Sequence, residues 1–68
     1  MPYRTNEDLP PRVRRILPEH AQDIYRAAFN SAWEQYGGDE RAHRIAWAAV
    51  KRKYRKANGM WLPIEPAL

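Results

Sequence analysis

The chain has 68 residues, with twelve Lys and Arg against eight Asp and Glu, a formal net charge of +4 and no cysteine. This length has room for one small domain, and the lack of cysteine excludes a disulfide framework. No apolar run approaches the roughly 20 residues that a membrane span needs. The polar N-terminus does not resemble a signal peptide, so we expect a cytoplasmic protein.

The N-terminal part of the chain predicts a short helix over residues 9–17. Asp8 can cap its first turn, which also tolerates the two prolines that follow Leu9. Pro18 ends it, because a residue before proline avoids the helical region. The expected buried face consists of Val13, Ile16 and Leu17.

A long amphipathic helix is predicted over residues 18–36. Pro18 fits its first position, and Gly37-Gly38 ends it because glycine readily takes the left-handed conformation of a C-cap. Apolar residues recur at i, i+3, i+4 and i+7 over more than four turns. They are Ala21, Ile24, Tyr25, Ala28, Phe29, Ala32, Trp33 and Tyr36.

The next segment predicts a second long helix, capped by Asp39 and continuing to Ala57, with Asn58-Gly59 closing it. The turn between the two helices is short, so they should pack as antiparallel neighbours and form the core. The expected core residues are Ile24, Tyr25, Phe29, Trp33, Ile45, Val50 and Tyr54.

The two ends of the chain favour extended structure over residues 3–5 and 60–62, which predicts a small terminal sheet. We expect a single domain over residues 1–62 and a loose tail over residues 63–68. The fold class is therefore α+β and mainly α: two long antiparallel helices, a short N-terminal helix and a small terminal β-sheet.

Catalytic chemistry is not expected. The single serine, Ser31, lies toward the polar side of its helix, and Asp23 and Glu34 are separated by about 16 Å of helix. His20, Asp23 and His43 could in principle bind a metal, but antiparallel packing puts His43 several turns away from the other two. We expect a protein that is not an enzyme and that has no metal or cofactor.

Two stretches resemble the signatures of a known family. One is His20-Ala21-Gln22-Asp23-Ile24-Tyr25, followed by Ala28-Phe29-Asn30-Ser31-Ala32-Trp33. The other runs from Ala42 through His43, Trp47 and Lys51 to Tyr54. Together with Met1-Pro2-Tyr3, Leu9-Pro10 and Leu17-Pro18, these segments are similar in order to the ChaB family over about residues 1–57.

The resemblance implies a few helices with a small sheet. It also implies a regulator of cation transport, because the family is associated with a sodium/calcium–proton antiporter. A protein partner, of which such an antiporter is one candidate, is therefore expected. Related domains fused to Rho-terminator-like modules imply a second possibility, a nucleic-acid partner. The family has no established catalytic residues to transfer.

The candidate partner-binding residues are exposed basic side chains and one tryptophan: Arg12, Arg15, Arg44, Trp47, Lys51 and Arg55. Three readings stay open for the basic residues: a solvated surface, contact with an acidic partner, or contact with phosphates. Trp47 either packs under the N-terminal segment or lies half exposed beside Arg44 and Lys51 as a protein-binding hot spot. No sequence-specific nucleic-acid motif is present.

Overall fold

The computed structural model describes residues 2–64. A 3₁₀ helix at Asn6–Asp8 precedes three α-helices and one hairpin. The elements are α1 (Pro11–Ile16), α2 (Glu19–Tyr36), α3 (Asp39–Lys53), β1 (Tyr54–Ala57) and β2 (Met60–Pro63). The predicted class, α+β and mainly α with two long helices and a small sheet, is confirmed.

The two long helices are joined as the sequence predicts, by a connection of two glycines. Gly37 has φ 67° and Gly38 has φ 133°, values that side-chain-bearing residues rarely adopt. Two boundaries move by one position. Pro18 and Gly38 occupy the N-cap positions, so Asp39 is the first residue of α3 rather than its cap.

The third helix ends earlier than predicted, because residues 54–57 form β1. Asn58 (φ 52°) and Gly59 (φ 78°) both have positive φ, which is the requirement of a two-residue type I′ hairpin turn. β1 and β2 pair antiparallel, with Tyr54 opposite Pro63 and Ala57 opposite Met60. The Asn-Gly pair closes a hairpin here, not a helix.

The predicted strand at residues 3–5 is wrong. The Tyr3 N–H donates to Asn30 Oδ1 (2.8 Å), and Asn30 Nδ2 donates to the Tyr3 carbonyl (2.8 Å). The Tyr3 ring lies 4.7 Å from that of Phe29. One asparagine side chain on α2 thus satisfies the backbone that we expected a neighbouring strand to satisfy.

The N-terminal helix is shorter than predicted, and Asp8 does not cap it. Asp8 lies in the 3₁₀ helix, where its carboxylate accepts a hydrogen bond from the Thr5 N–H at 3.3 Å. Ile16 is 43% exposed, so its predicted burial is wrong. The buried side chains instead repeat every fourth residue: Leu9, Val13 and Leu17.

The core lies between α2 and α3, with the N-terminal segment and Tyr54 closing its sides. Four of its members are alanines with 0–3% exposure, which let the two helix axes approach closely: Ala21, Ala32, Ala42 and Ala46. Of the expected core residues, Tyr25, Phe29, Val50 and Tyr54 are buried. Three are only partly buried and pack against the rim: Ile24, Trp33 and Ile45.

Ordered contacts continue past residue 62, the predicted domain boundary. Pro63 belongs to β2, and the Ile64 N–H donates to the Lys53 carbonyl at 2.8 Å. The rest of the predicted loose tail, residues 65–68, lies outside the described residues. Among residues 2–64, none of the helices has both the length and the apolar character to cross a bilayer.

Candidate functional site

The solvent-facing side of α3 carries a shallow groove, which we call the α3 groove. Its lining residues recur at helical spacing along one face of α3 and so form one continuous strip. They are Glu40, His43, Arg44, Trp47, Ala48 and Lys51. Three of the sequence-predicted site residues, Arg44, Trp47 and Lys51, therefore lie together in one place.

Trp47 lies at the centre of this strip and is only partly buried. One side of its indole contacts Tyr25 of α2 edge-on, with ring centroids 5.6 Å apart. Another side contacts Trp61 of β2, also at 5.6 Å. Of the two alternatives left open for Trp47, these contacts do not match packing under the N-terminal segment, because the two ring partners come from α2 and the hairpin. Trp47 also lines the groove, together with Arg44 and Lys51.

His43 fixes the orientation of that indole. The Trp47 Nε1–H donates to His43 Nε2 at 3.0 Å, and an indole nitrogen can only donate. His43 Nε2 must then carry no hydrogen, so the proton of the neutral ring is on Nδ1. His43 Nδ1 is in turn hydrogen-bonded to the Tyr25 hydroxyl. A chain of side chains therefore connects the core to the groove.

Tyr25 provides the buried end of this chain. Its side chain is fully buried, and this burial, with a smaller contribution from Tyr3, raises the pKa of its hydroxyl above the ordinary value. The hydroxyl therefore stays protonated in the folded protein at neutral pH. Tyr25 thus supports the groove from beneath, through the hydrogen bond to His43, which lines it.

The charges of the groove lie at its rim. Arg44 approaches Glu40 one turn earlier, with nitrogen and oxygen 3.7 Å apart. Both side chains are largely exposed, at 78% and 91%, so the pair contributes little to stability and can open for a partner. Lys51 is exposed at the other end. A partly exposed aromatic ring flanked by basic side chains is typical of protein-binding hot spots.

The other predicted site residues lie elsewhere. Arg55 is on β1, not on α3, and it lines a separate depression beside the second strand. Arg15 lines a third depression, between the end of α1 and the hairpin turn. Arg12 is exposed on α1 and lines none of these three depressions. The sequence predicted Arg55 on the same helix as Arg44 and Lys51, but α3 ends at Lys53 and leaves Arg55 on the hairpin. Arg12 and Arg15 lie on α1, the short helix on which they were expected.

The two histidines have different surroundings. His20 lies against Tyr54, with ring centroids 6.2 Å apart, while His43 contacts Tyr25 and Trp47. Within the described range 2–64, no group of three or more His, Asp and Glu side chains comes together in a way that could hold a metal ion.

Sequence reasoning missed the role of His43, which we considered only as a metal ligand. The available signal was its spacing, since His43 precedes Trp47 by four residues and therefore lies one turn away on the same face. That spacing allows the imidazole to accept from the indole N–H. It does not reveal Tyr25, which comes from another helix.

Comparison with known proteins finds the same family by sequence and by structure. The family model described as ChaB matches residues 9–63. A solved structure, "NMR solution structure of the putative cation transport regulator ChaB", superposes with a TM-score of 0.83 at 47% sequence identity. It covers 94% of this chain and 100% of its own.

Several relatives share much of the sequence. The Escherichia coli (strain K12) protein named "Putative cation transport regulator ChaB" is 52% identical over 68 residues, covering 85% of this chain and 90% of the relative. The Shigella flexneri protein of the same name has the same identity and coverage. A Lymantria dispar multicapsid nuclear polyhedrosis virus protein, "Uncharacterized 10.9 kDa protein in LEF8-FP intergenic region", is 40% identical over 57 residues and matched over 60% of its length.

Proposed function

This chain belongs to the ChaB family, and on that premise we propose that it regulates cation transport by binding a protein partner through the α3 groove. Family membership is the basis for proposing cation-transport regulation, because relatives at 52% identity are named as regulators of cation transport. The α3 groove is the basis for proposing that the domain acts by binding a protein. In this proposal the domain is a cytoplasmic adaptor and not an enzyme.

The observation that carries the proposal is the position of Trp47. Tryptophan and arginine are enriched among binding hot spots, which lie in well-packed parts of an interface from which water is excluded. Trp47 is already held in one orientation by His43, Tyr25 and Trp61, so binding loses little side-chain freedom. Arg44 and Lys51 favour an acidic partner surface.

The partner class follows from the family premise. A regulator of cation transport acts on a transporter, so we propose a cytoplasm-facing acidic segment of a cation/proton antiporter as the partner. The test is binding of the purified chain to that antiporter in lipid nanodiscs, measured by microscale thermophoresis.

We expect Trp47→Ala to weaken this binding by about 30-fold or more, the effect typical of a hot-spot residue. Tyr36→Ala is the matched control, because it removes another exposed aromatic ring, at the far end of α2. Equal binding by the two variants and the unaltered chain would exclude the α3 groove as the docking site. Absence of binding by the unaltered chain would exclude this partner.

A second candidate function is binding to nucleic-acid phosphates through the basic side chains of α3. It is favoured by the exposure of Arg44 and Lys51 on one face. Fluorescence anisotropy of a labelled DNA duplex and single strand, at two salt concentrations, tests it. Phosphate binding should fall steeply with salt and with each of Arg44→Gln and Lys51→Gln, while Trp47→Ala should have little effect. No binding at low salt would exclude this function.

A further inference from the structure

The outer face of the hairpin is apolar and open to solvent. Tyr54 is buried and Trp61 packs against the core, so the face that they share points inward. Successive residues of a strand alternate between faces, so the neighbours of Trp61 on β2 point outward. The outward residues on β2 and just after it are Met60, Leu62 and Ile64, which are 62%, 38% and 44% exposed.

These three side chains form one continuous stripe. They are spaced two residues apart, so the stripe extends about 13 Å along the strand direction. Across the hairpin, Ala57 pairs with Met60, and Arg55 pairs with Leu62. Ala57 extends the apolar surface, and Arg55 lies directly beside it. Arg55, Leu62 and Ile64 in fact line a common depression.

The stretch of sequence that contains this stripe has charges of one sign. Between Glu40 and Glu65 the sequence contains no acidic residue. The same stretch contains seven basic residues: Arg41, Arg44, Lys51, Arg52, Lys53, Arg55 and Lys56. The basic residues at the start of the hairpin are all exposed: Arg52, Lys53, Arg55 and Lys56. Tyr54, which lies among them, is buried. The first 40 residues contain five Arg and seven Asp and Glu, so the positive charge is concentrated at this end of the sequence.

We propose that the outer face of the hairpin binds the surface of an anionic lipid bilayer. An apolar stripe bordered by Arg and Lys matches both layers of such a surface: aliphatic side chains enter the acyl boundary, and cations contact the lipid phosphates. Arg55 is suited to bridge the two, because its aliphatic stem can lie against Leu62 while its guanidinium reaches a headgroup.

Aliphatic side chains distinguish a bilayer from nucleic acid as the occupant. Single-stranded nucleic acid is bound by aromatic rings on which bases stack, yet Trp61 and Tyr54 face inward on this hairpin. The exposed residues are Met, Leu and Ile, which have no flat face for stacking. The surface is separate from the α3 groove, and the proposal does not depend on a transport partner.

The experiment is co-sedimentation of the full chain with sucrose-loaded vesicles. One set is pure phosphatidylcholine, and the other contains about 30% phosphatidylglycerol, which supplies the anionic surface. We expect at least tenfold stronger binding to the anionic vesicles. Leu62→Ser and, separately, Met60→Ser should each reduce that binding at least threefold, and the double variant at least tenfold. Arg55→Gln should reduce binding only to the anionic vesicles.

Tyr36→Ser is the matched control, because it replaces another exposed large side chain far along the sequence from the hairpin and should leave binding unchanged. Circular dichroism checks that each variant retains its helices. Three outcomes would overturn the proposal: no binding to anionic vesicles, equal binding to both vesicle types, or anionic binding that the Leu62 and Met60 variants retain. A DNA duplex that binds while vesicles do not would also overturn it and assign the basic surface to nucleic acid.

Discussion

Tyr25 is the residue that joins the core of this protein to its candidate site. Its ring is fully buried against Phe29, and its hydroxyl reaches out of the core to His43. A buried hydroxyl that has a partner costs little, whereas a phenolate in the same place would lose its hydration. Tyr25 therefore makes the fold sensitive to alkaline pH while it orients the groove at neutral pH.

The first prediction concerns that sensitivity. Burial raises the pKa of Tyr25, so above about pH 10 the hydroxyl ionises in the unfolded chain before it ionises in the folded one. Its stabilising contribution is complete below pH 10 and is lost above it, at up to about 1.4 kcal/mol per pH unit. Urea unfolding between pH 9 and 11.5 should show a steeper loss in the unaltered chain than in Tyr25→Phe.

The control for this prediction is Tyr36→Phe, which alters a ring that is half exposed. Tyr3 also has a pKa raised by burial and by the nearby Asp39, so some alkaline slope should remain in Tyr25→Phe. Tyr36→Phe should lose stability with rising pH at the same rate as the unaltered chain. If Tyr25→Phe also loses stability at that rate, Tyr25 is not the group that titrates.

At the scale of single elements, the hairpin turn decides where α3 ends. The turn needs positive φ at two consecutive residues, and Asn58 and Gly59 adopt it with little strain. Once the turn forms, residues Tyr54 to Ala57 gain cross-strand hydrogen bonds to β2. A helix that continued to Ala57 would not provide these bonds. A strong local turn signal therefore takes precedence over helical periodicity in this segment.

The second prediction tests that turn. Gly59→Ala should lower the free energy of unfolding by about 1–2 kcal/mol, because alanine is strained at positive φ. A Cβ at this position would contact no neighbouring atom within 4 Å, so the loss measures backbone strain alone. Asn58→Gly is the matched control and should change stability far less, since glycine also accepts a type I′ turn. Chemical denaturation measures both; equal losses would contradict the assigned turn.

α1 is attached to the body of the protein by one side only. Leu17 is 3% exposed and Ile16 is 43% exposed, although the two are adjacent in sequence. Gln22 of α2 caps the end of α1 by donating its side-chain N–H to the carbonyls of Leu17 (2.9 Å) and Arg14 (3.2 Å). These contacts fix which residues of the short helix are buried.

The third prediction compares Leu17, which is buried, with Ile16, which is exposed. Leu17→Ala should destabilise the protein by about 2–5 kcal/mol, the usual cost of removing a buried Leu side chain. Ile16→Ala should cost well under half of that, because much of the side chain is already in water. Total stability for a chain of this size is roughly 3–10 kcal/mol, so Leu17→Ala should visibly lower Tm. Comparable losses for the two variants would contradict the orientation of α1.

At the scale of the whole molecule, the distribution of charge is uneven. The stretch from Arg41 to Ile64 contains seven basic residues and no acidic one. Exposed like charges that are close together repel one another and lower stability. The ion pairs Asp23–Arg26 and Glu40–Arg44, at 3.8 and 3.7 Å, are partly or largely exposed and offset little of this.

The fourth prediction is that sodium chloride stabilises the fold. Screening of the basic stretch should raise the free energy of unfolding by about 0.5 kcal/mol, a rise in Tm of roughly 2–4 °C for a domain of this size. The double variant Arg52→Gln/Lys53→Gln should respond less to salt, which thermal unfolding by circular dichroism would measure. A Tm that falls with added salt would mean that attractive pairs outweigh the repulsion.

The sequence by itself determined the two long helices and the family resemblance. Helical periodicity and the Gly37-Gly38 pair act over a few residues, so local pattern is sufficient to find α2 and the start of α3. The Asn-Gly signal of the hairpin was also present in the sequence, but we assigned it to a helix end. That error was one of interpretation and not of missing information.

Only the tertiary structure decided how the N-terminal segment is held and how the candidate site is assembled. Asn30 pairs with the backbone of Tyr3 across 27 positions, and Tyr25 reaches His43 across 18. Trp47 meets Trp61 only because the hairpin folds back beside α3. Contacts of this kind depend on how the elements pack against one another, and periodicity along a chain reports the buried face of an element without identifying its partner.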